Sequence, residues 1–103
     1  MVKVIIDGDA CPVVNSVIEL TKGTGIFVTV LRSFSHFSHQ IQPEHLKTVY
    51  VDDGPDAVDY KIVQLAKKED IVITQDYGLA SLLIDKVHIV MHHKGSIYRA
   101  DNI

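Results

Sequence analysis

Apolar and polar positions along the chain follow two alternating rhythms. Val2–Ile6 is a continuous apolar run stopped by Asp7-Gly8-Asp9, the pattern of a buried strand ending in a turn. Pro12 opens a segment to Lys22 in which Val13, Val17, Ile18 and Leu20 recur at helical spacing, and Gly23 and Gly25 terminate it. Ile26–Leu31 predicts a second strand. Arg32 to His45, rich in Ser, His and Phe and without a period, reads as an exposed loop. Lys47–Val51 predicts a third strand, ending in Asp52-Asp53-Gly54-Pro55. A second helix follows from about Pro55 to Lys68, with Val58, Ile62, Val63, Leu65 and Ala66 as its buried stripe. Ile71–Thr74 is a fourth strand, leading into Gln75-Asp76. Leu79–Ile84 is an apolar helix and Val87–Met91 a fifth strand. Lys94-Gly95 marks a turn into a short extended piece, Ser96–Arg99.

Strands alternating with helices at this spacing predict an α/β fold of βαβ units: a mostly parallel, about five-stranded sheet, covered on both faces and joined by right-handed crossovers. The 103 residues are too few for two cores, and no repeat, linker or low-complexity tract divides them. One domain over 1–103 is expected.

Composition changes this picture little. Hydrophobic residues make up 47% and charged residues 22%, the balance of a folded globular chain. The opening apolar run is too short for a secretory leader, and no segment approaches the roughly 20 apolar residues of a membrane span, so no membrane partner is expected. A single cysteine, Cys11, excludes an internal disulfide and suits a reducing, cytoplasmic setting. Ten Lys+Arg against thirteen Asp+Glu give a net charge of −3, which argues against a constitutive duplex binder. Self-association into a homo-oligomer stays open.

Ten of the thirteen acids are Asp, a residue that concentrates at turns, caps and metal sites. In an open parallel sheet all strands end on one edge, and ligands bind there, where strand order reverses. Asp7 and Asp9 follow the first strand. Asp52 and Asp53 follow the third, with Asp56 and Asp59 at the start of the next helix, and Asp76 follows the fourth. Carboxylates gathered on one edge repel unless a cation or raised pKa values relieve them. Mg²⁺ and Mn²⁺ are the hard ions that suit such donors.

Each acid also has a plainer reading. Asp7 and Asp9 flank Gly8 as turn or N-cap residues, and Asp76 caps the helix through Leu79. Asp53 with Asp56 imitates a capping box, and Asp59 is a solvated helix acid. Convergence is what favours a site. Cys11 reads as a buried structural thiol, because Val17 stands where a phosphatase-type loop needs Arg. His36 and His39 lack a third ligand at zinc spacing, and His92-His93 project to opposite faces if the strand continues through them. In Arg32-Ser33-Phe34-Ser35-His36-Phe37 the two Phe either stack on bases, with Arg32 or His36 meeting a phosphate, or anchor the loop to the core.

Asp7-Gly8-Asp9-Ala10-Cys11-Pro12 resembles the opening signature of the YaiI/YqxD family of bacterial proteins, in which Gly8 stands where the family has Ala. The likeness extends through Ser35–Ser38, Asp53–Asp59, Ile71–Ala80 and the closing Lys94-Gly95-Ser96-Ile97-Tyr98, essentially the whole chain. It implies a three-layer, PIN-like (Rossmann-like) fold of the PIN-like nuclease superfamily. By that analogy Asp7, Asp9, Asp59 and Asp76 are catalytic. These four, with Asp56, hold one or two Mg²⁺ or Mn²⁺ ions that activate water against RNA or another phosphodiester. Thr74 matches a hydroxyl position of the motif, and Arg32, Ser35 and His36 are the substrate-side candidates. The likeness also implies a further C-terminal segment in relatives. Two other readings stand beside it. One is a haloacid-dehalogenase-like phosphatase using Asp7 and Asp9, with Ser33 on the phosphate. The other is a metal- or RNA-binding module without turnover.

Overall fold

Nine elements alternate along the chain: β1 (Lys3–Asp7), α1 (Val14–Thr21), β2 (Phe27–Ser33), a 3₁₀ turn (Phe34–His36), β3 (Leu46–Val51), α2 (Ala57–Leu65), β4 (Ile71–Ile73), α3 (Tyr77–Leu83) and β5 (Ile89–Met91). The structure, a computed structural model, describes all residues except Met1, Ala10, 37–41, Pro55, Ile103 and the side chain of His36. The five strands form one sheet in the order β3-β2-β1-β4-β5, and every strand pair is parallel.

This order is what βαβ units of one hand produce when the chain first moves outward from β1 and then returns past it. The first crossover puts α1 on one face, and the later two put α2 and α3 on the other. Strand alternation then splits the core in two. Val4, Ile6, Val28, Val30 and Ile73 pack with Val14 of α1. Ile5, Leu31, Val72 and Val90 pack with Val58, Ile62, Leu79, Ala80 and Leu83 of α2 and α3. The result is three layers around a sheet whose central strands, β1 and β4, are buried on both faces and so read as apolar runs rather than as alternating ones.

Several boundaries differ from the sequence reading, each for a local reason. β2 continues through Arg32 and Ser33, because both pair with β3, opposite Tyr50 and Val51. α2 stops at Leu65: Ala66 turns to an extended ψ of 136, and the Asp70 carboxylate takes the Lys67 N–H at 2.8 Å. α3 starts at Tyr77 because Asp76 caps it from one residue earlier. β5 starts only at Ile89, since Val87 N–H still donates to Leu83 O. The extended piece after Lys94 contributes a single antiparallel bridge, Ile97 with Met91.

The capping box expected of Asp53 and Asp56 does not form. Asp56 sits at the N-cap of α2 with φ 65, a left-handed conformation that Asp tolerates better than most residues, and its side chain makes no capping bond. Asp53 instead accepts the Ser35 N–H at 2.9 Å, tying the 3₁₀ turn to the end of β3.

Candidate functional site

Strand order reverses between β1 and β4, so their carboxyl ends flank the crevice where open α/β sheets bind ligands. Alternation decides which side chains reach it. Asp7 lies on the face of Ile5, Ser33 on that of Leu31 and Thr74 on that of Val72, the face covered by α2 and α3.

Thr74 organises this crevice. It is 1% exposed, its hydroxyl donates to Asp7 Oδ2 at 3.1 Å, and the same oxygen accepts the Asp76 N–H at 3.0 Å. Asp76 Oδ1 accepts the Leu79 N–H at 3.1 Å and so caps α3. Its cap reading and its site reading therefore hold together, because a carboxylate has a second oxygen to offer. Asp9 accepts the Ser33 N–H with both oxygens, at 3.0 and 3.3 Å. Gly8 lies between these two aspartates, and its N–H donates to Leu31 O at 2.8 Å. A Cβ there would meet Val30 Cγ1 at 2.5 Å and Leu31 O at 2.9 Å, so the first turn is packed hard on β2.

Asp59 enters from α2. Burial, then the charges of Asp76 and Asp7, then a hydrogen bond shared with Asp76 and the charge of Asp56 push its carboxyl up to about 6. Burial also raises Asp7; the Thr74 hydrogen bond pulls it down, and the charges of Asp9 and Asp76 raise it further. The charge of Asp76, which follows β4, thus acts on both Asp7 of β1 and Asp59 of α2. Asp7, Asp9, Asp53, Asp56, Asp59 and Asp76 line one cavity of 320 Å³, together with Ser33 and Ser35. Among the described residues no three His, Cys, Asp or Glu side chains close into a ready-made metal cage. In donor type, all hard carboxylate and hydroxyl oxygens, the lining fits Mg²⁺ or Mn²⁺.

The substrate-side candidates divide. Ser35 joins the cavity, its hydroxyl 3.0 Å from that of Ser33. Arg32 does not. It follows Val28 and Val30 onto the α1 face, where its guanidinium donates to Gly8 O at 3.2 Å and lines a separate cavity of 550 Å³ with Cys11, Asn15 and Tyr50. The backbone of His36 closes the 3₁₀ turn, while its side chain, Phe37 and His39 lie outside the described residues. Phe34 is no core anchor: it is 53% exposed and stacks on Tyr50, centroids 6.0 Å apart.

Burial pushes the Cys11 thiol up, away from a reactive thiolate. His92 and His93 do not project to opposite faces. β5 ends at Met91, and the two rings lie against each other with centroids 4.1 Å apart. Ser33 holds Asp9 through its N–H, and Asp53 holds Ser35 by accepting its N–H. Ser33 carried a usable signal, since a strand prolonged by two residues puts it on the face of Leu31. No described helix is long and apolar enough to cross a membrane.

Comparison with known proteins follows the same segments. The profile of the family described as "uncharacterized BCR, YaiI/YqxD family" matches residues 5–103. A UPF0178 protein of Staphylococcus epidermidis is 87% identical over 100 residues, covering 97% of this chain and 67% of its own length. UPF0178 proteins of Staphylococcus haemolyticus and Staphylococcus aureus are 76% and 74% identical over 103 residues, all of this chain and 70% and 68% of their own. The chain thus spans about two thirds of these bacterial relatives. No solved structure matches it.

Proposed function

The chain belongs to the YaiI/YqxD family, and from that premise we propose that its aspartate edge is the divalent-metal centre of a PIN-like nuclease acting on RNA or another phosphodiester in the cytoplasm. The observation that carries this reading is the convergence of Asp7, Asp59 and Asp76, acids from three separate segments, on one cavity where strand order reverses, with the carboxyls of Asp7 and Asp59 raised there. A purely structural role explains Asp76 as a capping aspartate, not two further carboxyls raised by burial and by the charges beside them.

Asp7, Asp9, Asp59 and Asp76 would hold Mg²⁺ or Mn²⁺, with Asp56 at the rim. Such an ion supplies an activated water and neutralises charge at a phosphoryl group. The chain's own residues do the positioning. Thr74 fixes the orientation of Asp7 and, through its bond to the Asp76 N–H, the start of α3. Ser33 fixes Asp9 through the backbone of β2. Asp59, whose carboxyl is raised to about 6 in the metal-free chain, would give up its proton on binding the ion.

The test pairs binding with turnover. Calorimetric titration with Mn²⁺ should give saturable binding that Asp7→Asn and Asp76→Asn weaken at least about tenfold. Single-stranded RNA should be cleaved with Mn²⁺ and not by Asp7→Asn. Metal binding without cleavage of any nucleic acid leaves a binding module and refutes the nuclease. Variants that bind Mn²⁺ like the wild type refute the shared centre itself.

A further inference from the structure

The closing motif Lys94-Gly95-Ser96-Ile97-Tyr98 plays no part in the carboxylate centre, yet it stands on the same edge of the sheet. Beyond β5 the chain turns sharply. Gly95, with φ 98, donates its N–H to His92 O at 2.9 Å, and the His92 N–H donates to Ser96 O at 2.8 Å. Ile97 returns to bridge Met91, and the Tyr98 N–H bonds Val90 O at 2.9 Å. The turn is thereby held against the first residue of α3. Between them lies a cavity of 310 Å³ lined by Tyr77, His92, Lys94, Ser96, Tyr98 and Asn102.

Two features of this cavity point to one kind of ligand. The first is an aromatic wall. Tyr77 directly follows Asp76, is 60% exposed, and is held edge-on by Tyr98 with centroids 5.3 Å apart and planes at 83°. Tyr98 is itself only 7% exposed, and its hydroxyl donates to Thr74 O at 3.1 Å. Thr74 therefore anchors both the aromatic wall and Asp7. An exposed ring held rigid from behind is a stacking platform that loses little entropy on binding.

The second feature is charge. The edge of the sheet is acidic from Asp7 to Asp76, and Lys94 supplies its cationic corner, beside His92, whose Nδ1 accepts the Lys94 N–H at 3.0 Å. No carboxylate among the described residues pairs with the Lys94 ammonium. A ligand that is flat at one end and anionic at the other satisfies both features.

We propose that this cavity is a nucleotide subsite, taking one unstacked nucleotide with its base against Tyr77 and its phosphate at Lys94. The subsite rests on the metal-centre reading for its purpose and narrows the substrate class to single strands. A base inside a duplex is stacked on both faces and cannot lie on Tyr77. Asn102 shapes the wall rather than reading the base, because its amide is engaged by the Arg99 N–H and Ile97 O.

The experiment follows backbone amides by two-dimensional NMR during two independent titrations of the chain. Adenosine 5′-monophosphate is added in the presence of EDTA, and Mg²⁺ is added without nucleotide. The nucleotide should shift Tyr77 and the amides of residues 94–98 saturably, while Mg²⁺ should shift Asp7, Asp59 and Asp76. Tyr77→Leu should weaken nucleotide binding about tenfold, the effect of losing one stacked base, while Tyr77→Phe stays within about twofold. Lys94→Ala should weaken the monophosphate but not adenosine. A six-nucleotide single strand should reproduce the nucleotide map, and its duplex should not. Absence of nucleotide shifts, shifts elsewhere, or wild-type binding by Tyr77→Leu would overturn the subsite whatever Mg²⁺ does. A silent Mg²⁺ titration beside an intact nucleotide map would overturn the metal centre and leave the subsite standing.

Discussion

Replacing Asp59 by Asn tests the electrostatics of the carboxylate edge without touching its packing. Asn is isosteric, carries no charge, and still offers a donor to Asp76, as protonated Asp59 does. In the folded chain the Asp59 carboxyl is raised from 3.8 to about 6. The folded state therefore binds its proton more tightly than the unfolded chain does. Asp59 favours folding most below pH 4, and this contribution declines as pH rises through 6, above which the charged group opposes folding in full. Two pKa units correspond to about 3 kcal/mol. Asp59 is partly open to solvent, however, and screening reduces the usable effect to about 1 kcal/mol. At pH 7.5 Asp59→Asn should thus be more stable than wild type by about 1 kcal/mol, or roughly 4–8 °C in Tm for a chain of this size. At pH 4 the advantage should vanish. Urea unfolding followed by circular dichroism at both pH values reads the difference directly. Equal stabilities at pH 7.5, or an Asp59 carboxyl that titrates below about 4.5 by carbon NMR, would refute the crowding of acids on which the site rests.

Three further substitutions probe the scaffold of the site. Thr74→Val keeps the buried shape but removes the hydroxyl that serves Asp7 and the Asp76 N–H; it should cost about 1–3 kcal/mol in chemical denaturation. The same change should raise the Asp7 carboxyl further, since the lost bond is what lowers it. Arg32→Ala should leave Mn²⁺ affinity and RNA cleavage within about twofold of wild type, because its guanidinium lies across the sheet on Gly8 O; a larger loss would place Arg32 in the site after all. Gly8→Ala should destabilise by about 1–3 kcal/mol in the same denaturation assay. The added methyl would press on Val30 Cγ1 and Leu31 O.

The carboxylate edge was legible in outline because parallel strands deliver their ends to one side whatever their order. Asp7, Asp9 and Asp76 could therefore be placed from strand periodicity alone. Asp59 needed only the additional fact that α2 starts where β3 ends. The faces taken by Arg32 and Ser33 were not legible for one reason: the apolar run of β2 stops at Leu31, but the ladder with β3 does not. Pairing with a neighbouring strand prolongs a strand past its hydrophobic signal, because backbone bonds, unlike burial, do not depend on side-chain type. Once the strand is prolonged by two residues, a period of two sends Arg32 to one face and Ser33 to the other.

Local pattern and composition sufficed to determine the α/β class, the sequence of five strands and three helices, and the one edge on which the acids emerge. Periodicity and turn residues are short-range properties that the chain carries wherever it is read. The order β3-β2-β1-β4-β5, the face each side chain takes, and the bonds that lock Thr74 to Asp7 and Tyr98 to Thr74 were decided only by tertiary structure. Those bonds join residues 67 and 24 positions apart, and no local preference encodes a contact between segments that meet only after the sheet has formed. The raised carboxyl of Asp59 belongs with them, since it arises from acids on other elements and from burial that packing alone creates.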